Sequence, residues 1–391
     1  MSKKVWPLNI NNFTLIDRLK IAKFILSTKN KWTQDIHVKN FEKLIAEYLG
    51  VKYAVFVSSG STANTILAQY YKDKLKNSEK KIIVFPSTTW QTSCSPWIRE
   101  GFIPHFIDIS LEDFSIDKEK LTKFVKENSE KIACIFPTSL IGFSPDMYFY
   151  KNLNKTYNVE VCFDNCENTL GKYNGKNLCS FFTSSTSTYF GHQIQSVEGG
   201  FLFTNSQEEY EYFLMQRNHG MTRSLKAYGL NPEKYQNKNI NELFDFYSLG
   251  NNFRNTDINA FIGQLDLKRA DEYTKKRVDL YEFYKNNIFL KKFYLPNERA
   301  LSYDVPFCLP IICKNPNEIN QVIEICKSLD IEYRPIISGF LGRQTCYKQY
   351  FIEEQSYPNS IYLHENSIYV GLYSKLKKSN ILELCNKLNN I

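Results

Sequence analysis

No stretch of the 391-residue sequence approaches the ~20 consecutive apolar residues that a bilayer-spanning helix needs, so no membrane partner is expected. The opening residues Met1–Pro7 lack the apolar core of a secretory leader, which sets the expectation of a cytoplasmic protein. Ten cysteines are present, yet none stands in a Cys-x-Cys or Cys-x-x-Cys spacing, so no metal or iron–sulfur site is expected and the thiols read as reduced and mostly buried. There is no internal repeat, low-complexity tract or long linker. The net charge of +8 is dispersed, with lysines such as Lys80–Lys81 and Lys375–Lys378 at turns or helix ends. Without a basic face or a binding motif, no nucleic-acid partner is expected, although a mild positive field suits an anionic nucleotide substrate.

What is present is an alternation. Short apolar runs at Tyr53–Val57, Lys81–Phe85, Ile103–Ile107, Ile132–Phe136 and Val159–Phe163 read as buried strands. Amphipathic stretches at Thr62–Tyr71, Leu111–Glu127 and Asp146–Asn154 read as helices between them. Such alternation predicts a mostly parallel sheet covered on both faces. Two more strands, Ser185–Phe190 and Phe201–Thr204, flank a turn, and Asp257–Asn287 reads as one long helix. Beyond it, Val305–Ile312, Ile331–Ile336 and Ser367–Leu372 read as strands of a smaller sheet, with helices over Asn315–Leu329 and Lys378–Leu388. At this length two lobes are expected, residues 1–264 forming the larger and 265–391 the smaller, with the boundary inside the long helix.

Three segments carry chemical potential. In Val57-Ser58-Ser59-Gly60-Ser61-Thr62-Ala63-Asn64 a strand ends, small residues turn and a helix begins, which is either a phosphate cradle or a simple Ser/Thr cap. Phe163-Asp164-Asn165-Cys166-Glu167 ends a buried strand, where open α/β sheets bind ligands; its carboxylates could hold a ring nitrogen and a ring substituent, or Asp164 could cap a helix. Ser187–Gly200 runs through His192, one of only five histidines, into Glu198-Gly199-Gly200, and His192 is either structural or catalytic.

In this order the segments resemble the sugar-nucleotide aminotransferase family, the sugar-modifying branch of the fold-type-I vitamin-B6 enzymes, over nearly the whole chain. The resemblance implies an α/β, aspartate-aminotransferase-like fold: a large lobe with a mostly parallel seven-stranded sheet between helices, and a smaller α/β C-terminal lobe. It implies pyridoxal 5′-phosphate or pyridoxamine 5′-phosphate as cofactor. Gly60, Ser61, Thr62 and Ser187 would then serve the phosphate, Trp90 of the Pro86–Trp90 loop the ring face, Asp164 the pyridine nitrogen and Glu167 a ring substituent. Arg217-Asn218-His219-Gly220-Met221-Thr222-Arg223, Gly250–Arg254 and Tyr333–Ile336 match later family segments. By the same resemblance Asn252 crosses a homodimer interface to the partner's cofactor phosphate. His219, Arg254 and Arg334 are candidates to meet the substrate or a glutamate carboxylate.

One departure redirects the function. Counting back from Glu198-Gly199-Gly200, the family's cofactor-linking lysine falls on His192, whose imidazole has no primary amine. A histidine here marks a subgroup that removes the C3 hydroxyl of 4-keto-6-deoxy sugar nucleotides, and which shares Asp-Asn-Cys-Glu and Arg-x-His-Gly-x-Thr-Arg. Another histidine-bearing subgroup acts on CDP-sugars with an iron–sulfur cluster and needs the Cys-x-Cys missing here. The resemblance therefore implies a lyase of lipopolysaccharide O-antigen deoxysugar biosynthesis. It would act on a nucleotide-linked keto sugar such as GDP-4-keto-6-deoxymannose, take its amino group from glutamate and release ammonia. His192 would be the base, expected to be poised near neutral pH. Two positions differ from the subgroup: Gln193 replaces its usual second histidine, and Met221 its tryptophan. An ordinary sugar-nucleotide aminotransferase and an inactive cofactor-binding homologue are the alternatives.

Overall fold

The computed structural model describes residues 6–351 and 353–391, so Met1–Val5 of the opening stretch lies outside the described residues. Apolar runs too short for helices become central strands. Tyr53–Val57 pairs antiparallel with Gly200–Thr204, which pairs antiparallel with Ser184–Ser187, which runs parallel to Phe163–Asp164. Ile82–Pro86 lies parallel between Ile103–Ile107 and Ile132–Ile135. Parallel bridges from Ile135 to Val161 and from Thr138 to Asp164 join the four-stranded and three-stranded groups into one seven-stranded layer. In that layer Gly200–Thr204 alone opposes its neighbours.

Helices cover both faces. Gly60–Lys74, Gln91–Arg99 and Gln207–Gln216 bury Ile66, Leu67, Trp97 and Phe213 against one face. Lys118–Asn128 and Met147–Tyr157 bury Leu121, Val125, Tyr150 and Leu153 against the other. The helix expected over Leu111–Glu127 begins only at Lys118, because Asp117 caps it by accepting from the Glu119 and Lys120 N–H groups. Before the cap, residues 111–116 form a loop closed by an Ile109–Ile116 bridge and by Asp113 accepting from the Ser115 N–H and hydroxyl. The pattern over Asp257–Asn287 divides into Asp257–Leu267 and Ala270–Lys285. At the break Arg269 reaches Asp17 at 2.8 Å.

The smaller sheet is antiparallel, in the order Phe293–Tyr294, Cys308–Cys313, Ser367–Gly371, Tyr333–Arg334. Val322, Tyr284, Ile381 and Leu384 from Ile319–Ser328, Ala270–Lys285 and Lys378–Asn389 share its core. Trp6 packs in this core as well. Trp6 bridges Ile331, and its indole N–H donates to the Gly371 carbonyl at 2.9 Å. Burying an indole needs both an apolar bed and an acceptor, and the small lobe supplies both.

Arg217 opens the Arg-x-His-Gly segment but is a buried tie within the large lobe. Its guanidinium pairs with buried Glu42 and donates to the Phe56 carbonyl and the Tyr228 hydroxyl. Glu42 in turn accepts from the Phe56 N–H at 2.7 Å. Removing one member of such a pair strands the other charge in the interior. Glu42→Ala is expected to lower the unfolding free energy in urea by ~3–5 kcal/mol; a loss within the ~0.5 kcal/mol typical of surface substitutions would refute the tie.

Candidate active site

At the carboxyl end of Tyr53–Val57 the backbone turns into the helix Gly60–Lys74. The Ser59 hydroxyl accepts from the Thr62 N–H at 3.1 Å, and the Thr62 hydroxyl accepts from the Ser59 N–H at 2.9 Å. Thr62 is thus spent on a reciprocal cap and does not line the cavity; Gly60 and Ser61 do. Their N–H groups belong to the first turn, where a helix offers unpaired donors and the positive end of its dipole. A side chain at Gly60 would press Ser187 Cβ and Cys166 Sγ, each 3.0 Å away. A Cβ at Gly200 would stand 2.3 Å from the Ser59 carbonyl carbon and 2.4 Å from the Gly60 nitrogen, so Glu198-Gly199-Gly200 passes directly under the cradle.

The cavity that the cradle opens into measures about 620 Å³. Gly60, Ser61, Trp90, Asp164, Glu167, Ser187, His192 and Arg334 are brought together on its wall. Asp164 is buried, and three donors orient its carboxylate: Asn64 Nδ2 at 2.9 Å, Ser93 Oγ at 2.7 Å and the Cys166 N–H at 3.1 Å. Trp90 stands on the rim, 57% exposed. Arg334 comes from the small lobe and holds Glu332 at 2.7 Å, so any anion it meets competes with that carboxylate.

Glu167 and His192 have their acidities driven apart. Burial raises Glu167 to about 8; its bond from the Ile141 N–H, at 2.6 Å, acts against this, and the charge of Asp164 adds to it. Burial lowers His192 to about 4, assisted by the charge of Arg277 and opposed by the Cys166 backbone and Asp164. The expectation of a histidine poised near neutrality is corrected: packing beside Phe307, ring centroids 5.3 Å apart, leaves the imidazole poorly solvated and hence uncharged. At neutral pH the acid keeps its proton and the base is free to accept one.

The loop bearing His192 is tied down on several sides. Gln193 accepts from the Leu170 N–H at 2.8 Å and donates to the Glu167 and Val305 carbonyls at 3.1 and 2.6 Å. Its side chain serves buried backbone and leaves the lining of the cavity to its neighbours. Asp266 accepts from the Gln195 N–H at 2.9 Å, and Asn255 donates to the Glu198 carbonyl at 3.1 Å. Val197 is held at φ +73°, a conformation a β-branched residue rarely adopts.

Four sequence-marked residues lie away from this wall. His219 has φ +62° and donates its N–H to the Asn251 carbonyl at 2.8 Å. The Arg254 guanidinium donates to Asn218 Oδ1 at 2.6 Å, and Asn252 is exposed beside it. Met221 is buried and bridges Phe246, also away from the cavity. Conversely, sequence reading missed Asn64 and Ser93 as the partners of Asp164, and Leu8, Asn9, Phe307, Glu332 and Tyr369 as wall residues. Asn64 stood inside the marked cradle segment, Ser93 and Glu332 stood just beyond marked segments, and Leu8 and Asn9 come from a stretch that carries no local signature.

Among curated proteins, the chain is 29% identical over 366 residues to a GDP-4-keto-6-deoxy-D-mannose 3-dehydratase of Escherichia coli O55:H7, covering 90% of this chain and 91% of the other. It is 28% identical over 349 residues to a GDP-4-keto-6-deoxy-D-mannose 3-dehydratase of Yersinia pseudotuberculosis, covering 88% of each. A crystal structure of GDP-4-keto-6-deoxymannose-3-dehydratase with a trapped PLP-glutamate geminal diamine superposes with a TM-score of 0.88 at 26% identity, covering 98% of this chain and 100% of that one. The aspartate-aminotransferase-like α/β architecture is therefore the fold of this chain. With the family model matched over residues 17–389, the chain belongs to the DegT/DnrJ/EryC1/StrS aminotransferase family.

Proposed function

We propose that this protein holds pyridoxal 5′-phosphate, or pyridoxamine 5′-phosphate, in the cavity and dehydrates C3 of a nucleotide-linked 4-keto-6-deoxy sugar such as GDP-4-keto-6-deoxymannose. Glutamate is the amino donor and ammonia a product. The observation that carries this reading is an uncharged imidazole, His192, in place of an amine on the wall of a cavity that has a helix-end cradle and a buried carboxylate. The residues fit the cofactor. The buried side-chain atoms Thr89 Oγ1, Thr138 Oγ1 and His192 Nδ1 belong to cavity-lining residues and have no hydrogen-bond partner among the described residues, and such atoms call for a ligand or water.

When bound, the cofactor supplies an electron sink for breaking a bond beside the keto carbon of the sugar. Gly60, Ser61 and the Ser187 hydroxyl hold its phosphate, Asp164 its ring nitrogen and Trp90 its ring face. Glu167, still protonated at neutral pH, donates to a ring oxygen. Thr62 stiffens the cradle through its cap. His192 Nδ1, which has no partner among the described residues, would take the proton from the C–H bond broken in the step and pass it to the C3 hydroxyl, which leaves as water. Arg334 gives up Glu332 to meet a carboxylate or phosphate of an incoming substrate.

The active unit in this reading is a homodimer. Phe244, Phe246 and Leu249 expose 58%, 53% and 96% of their surface close in sequence to Asn252 and Arg254, an apolar display that suits a second copy. Asn252 reaches the partner's cradle, and His219 and Arg254 serve the shared substrate space. Light scattering is expected to return twice the mass of the chain or a multiple of it, and a fully active monomer would overturn this assignment.

His192→Asn is expected to keep cofactor affinity, since cradle and Asp164 are untouched, and to slow dehydration by ~10²–10⁴-fold. The measurement is ammonia and 3-deoxy sugar formed from glutamate and a panel of 4-keto sugar nucleotides, followed by mass spectrometry. Wild-type turnover in the variant would remove His192 as the base, and an amino sugar formed without ammonia would favour an aminotransferase.

The two displaced acidities set the pH profile. His192 must be unprotonated, so activity is lost as pH falls toward about 4, below the ordinary histidine value of 6.5. Glu167 must be protonated, so activity is lost as pH rises through about 8, far above the ordinary carboxylate value of 4.5. Glu167→Gln is expected to flatten the alkaline limb of kcat/KM and leave the acid limb in place. An alkaline limb unchanged in that variant would assign it to another group.

A further inference from the structure

The segment from Trp6 to Asn12 has no part in the reading above, yet it crosses from the small sheet to the loop that carries His192. It starts beside the strand Tyr333–Arg334, where the Glu332 N–H donates to the Trp6 carbonyl at 2.9 Å. Next the Leu8 N–H donates to Glu332 Oε2 at 3.2 Å, while Oε1 of the same carboxylate takes Arg334. Asn9 then donates from Nδ2 to the Phe190 carbonyl at 2.8 Å and accepts from the Ile10 N–H at 2.9 Å. Gln195 closes the contact from the other side, its amide donating to the Ile10 carbonyl at 3.4 Å. Asn12 is anchored by the Tyr273 hydroxyl at 3.1 Å. Leu8 and Asn9 are themselves part of the cavity wall.

We propose that Asn9 is a positioning residue for His192, and that this strap sets the base and the Arg334–Glu332 pair relative to one another across the cavity. The inference rests on the dehydratase reading for its catalytic consequence, but not for the hold on the loop. The ties at Gln193, Gln195 and Glu198 secure His192 from its C-terminal side. On the N-terminal side, Tyr189 and Phe190 precede it, Tyr189 is 48% exposed, and the Phe190 carbonyl is the point that Asn9 takes up. A general base must stay within hydrogen-bond reach of the proton it takes, and a displacement of about 1 Å can cost on the order of 10²-fold in rate.

Asn9→Asp tests this with little change of shape. The carboxylate keeps the acceptor for the Ile10 N–H but turns the donation to the Phe190 carbonyl into repulsion. In the pyridoxal-phosphate-loaded protein, amide hydrogen exchange over residues 189–197 is expected to quicken by roughly 5-fold or more, with the strands of the large sheet as protected as in wild type. Turnover of the keto sugar with glutamate is expected to fall by about 10-fold in kcat, with KM for glutamate and affinity for pyridoxal phosphate within about twofold of wild type. Unchanged exchange in the loop overturns the proposal. So does quickened exchange with unchanged kcat, because a loosened loop would then be irrelevant to the base. If wild type dehydrates no keto sugar at all while Asn9→Asp still frees the loop, the functional reading fails and the strap's hold on the loop stands.

Discussion

The site depends on one close approach of backbone to backbone. Gly200 lies so near the Ser59–Gly60 peptide that even a methyl group would collide with it. The contact is possible because Gly200–Thr204 runs antiparallel between two strands that are parallel to each other, with Val57 opposite Gly200. The reversal delivers the connection from Ser187 to Gly200 to the carboxyl edge of the sheet. At that edge the helix Gly60–Lys74 begins and Asp164 ends its strand. A helix N-terminus, a carboxylate and a histidine from three distant stretches therefore meet at one cavity, as expected of ligand sites in open α/β sheets.

Burial then assigns the chemistry. The same desolvation acts with opposite sign on an acid and a base, because in each case it disfavours the charged form. Glu167 is pushed up to about 8 and His192 down to about 4, so the neutral form predominates for each at pH 7. A neutral imidazole can accept a proton, and without a primary amine it cannot form an imine with an aldehyde. Neither Gln193 nor Met221 lines the cavity of this chain. Gln193 supports three backbone groups, and Met221 is buried in the neighbouring loop.

Strands that are short apolar runs bounded by turn residues were legible, and Tyr53–Val57 and Ile103–Ile107 form over the residues anticipated, whereas those expected over Val159–Phe163 and Ser185–Phe190 form over Phe163–Asp164 and the polar run Ser184–Ser187. Helix limits were less so. Leu111 and Phe114 continue an amphipathic pattern into Lys118–Asn128, yet Asp117 caps the helix after them, and a local side-chain bond outranks periodicity. The apparent single helix over Asp257–Asn287 breaks where Arg269 turns to Asp17, a contact some 250 positions distant in sequence that no window of residues contains.

The sequence by itself determined the ingredients of the site. Glycines mark where a helix end must be approached closely, and Asp164 and Glu167 end a buried strand; each is a property of a residue and its immediate neighbours, whereas a histidine in place of an amine at 192 is implied by the family resemblance. Only the tertiary structure decided how these groups are used. Thr62 turns into a cap, Asn64 and Ser93 aim Asp164, packing beside Phe307 disfavours a charged His192, and Trp6–Asn9 tie the smaller sheet to the loop that carries His192. Orientation, hydration and acidity depend on atoms that arrive from elsewhere in the chain, and chain order carries no record of those distances until the sheet has closed.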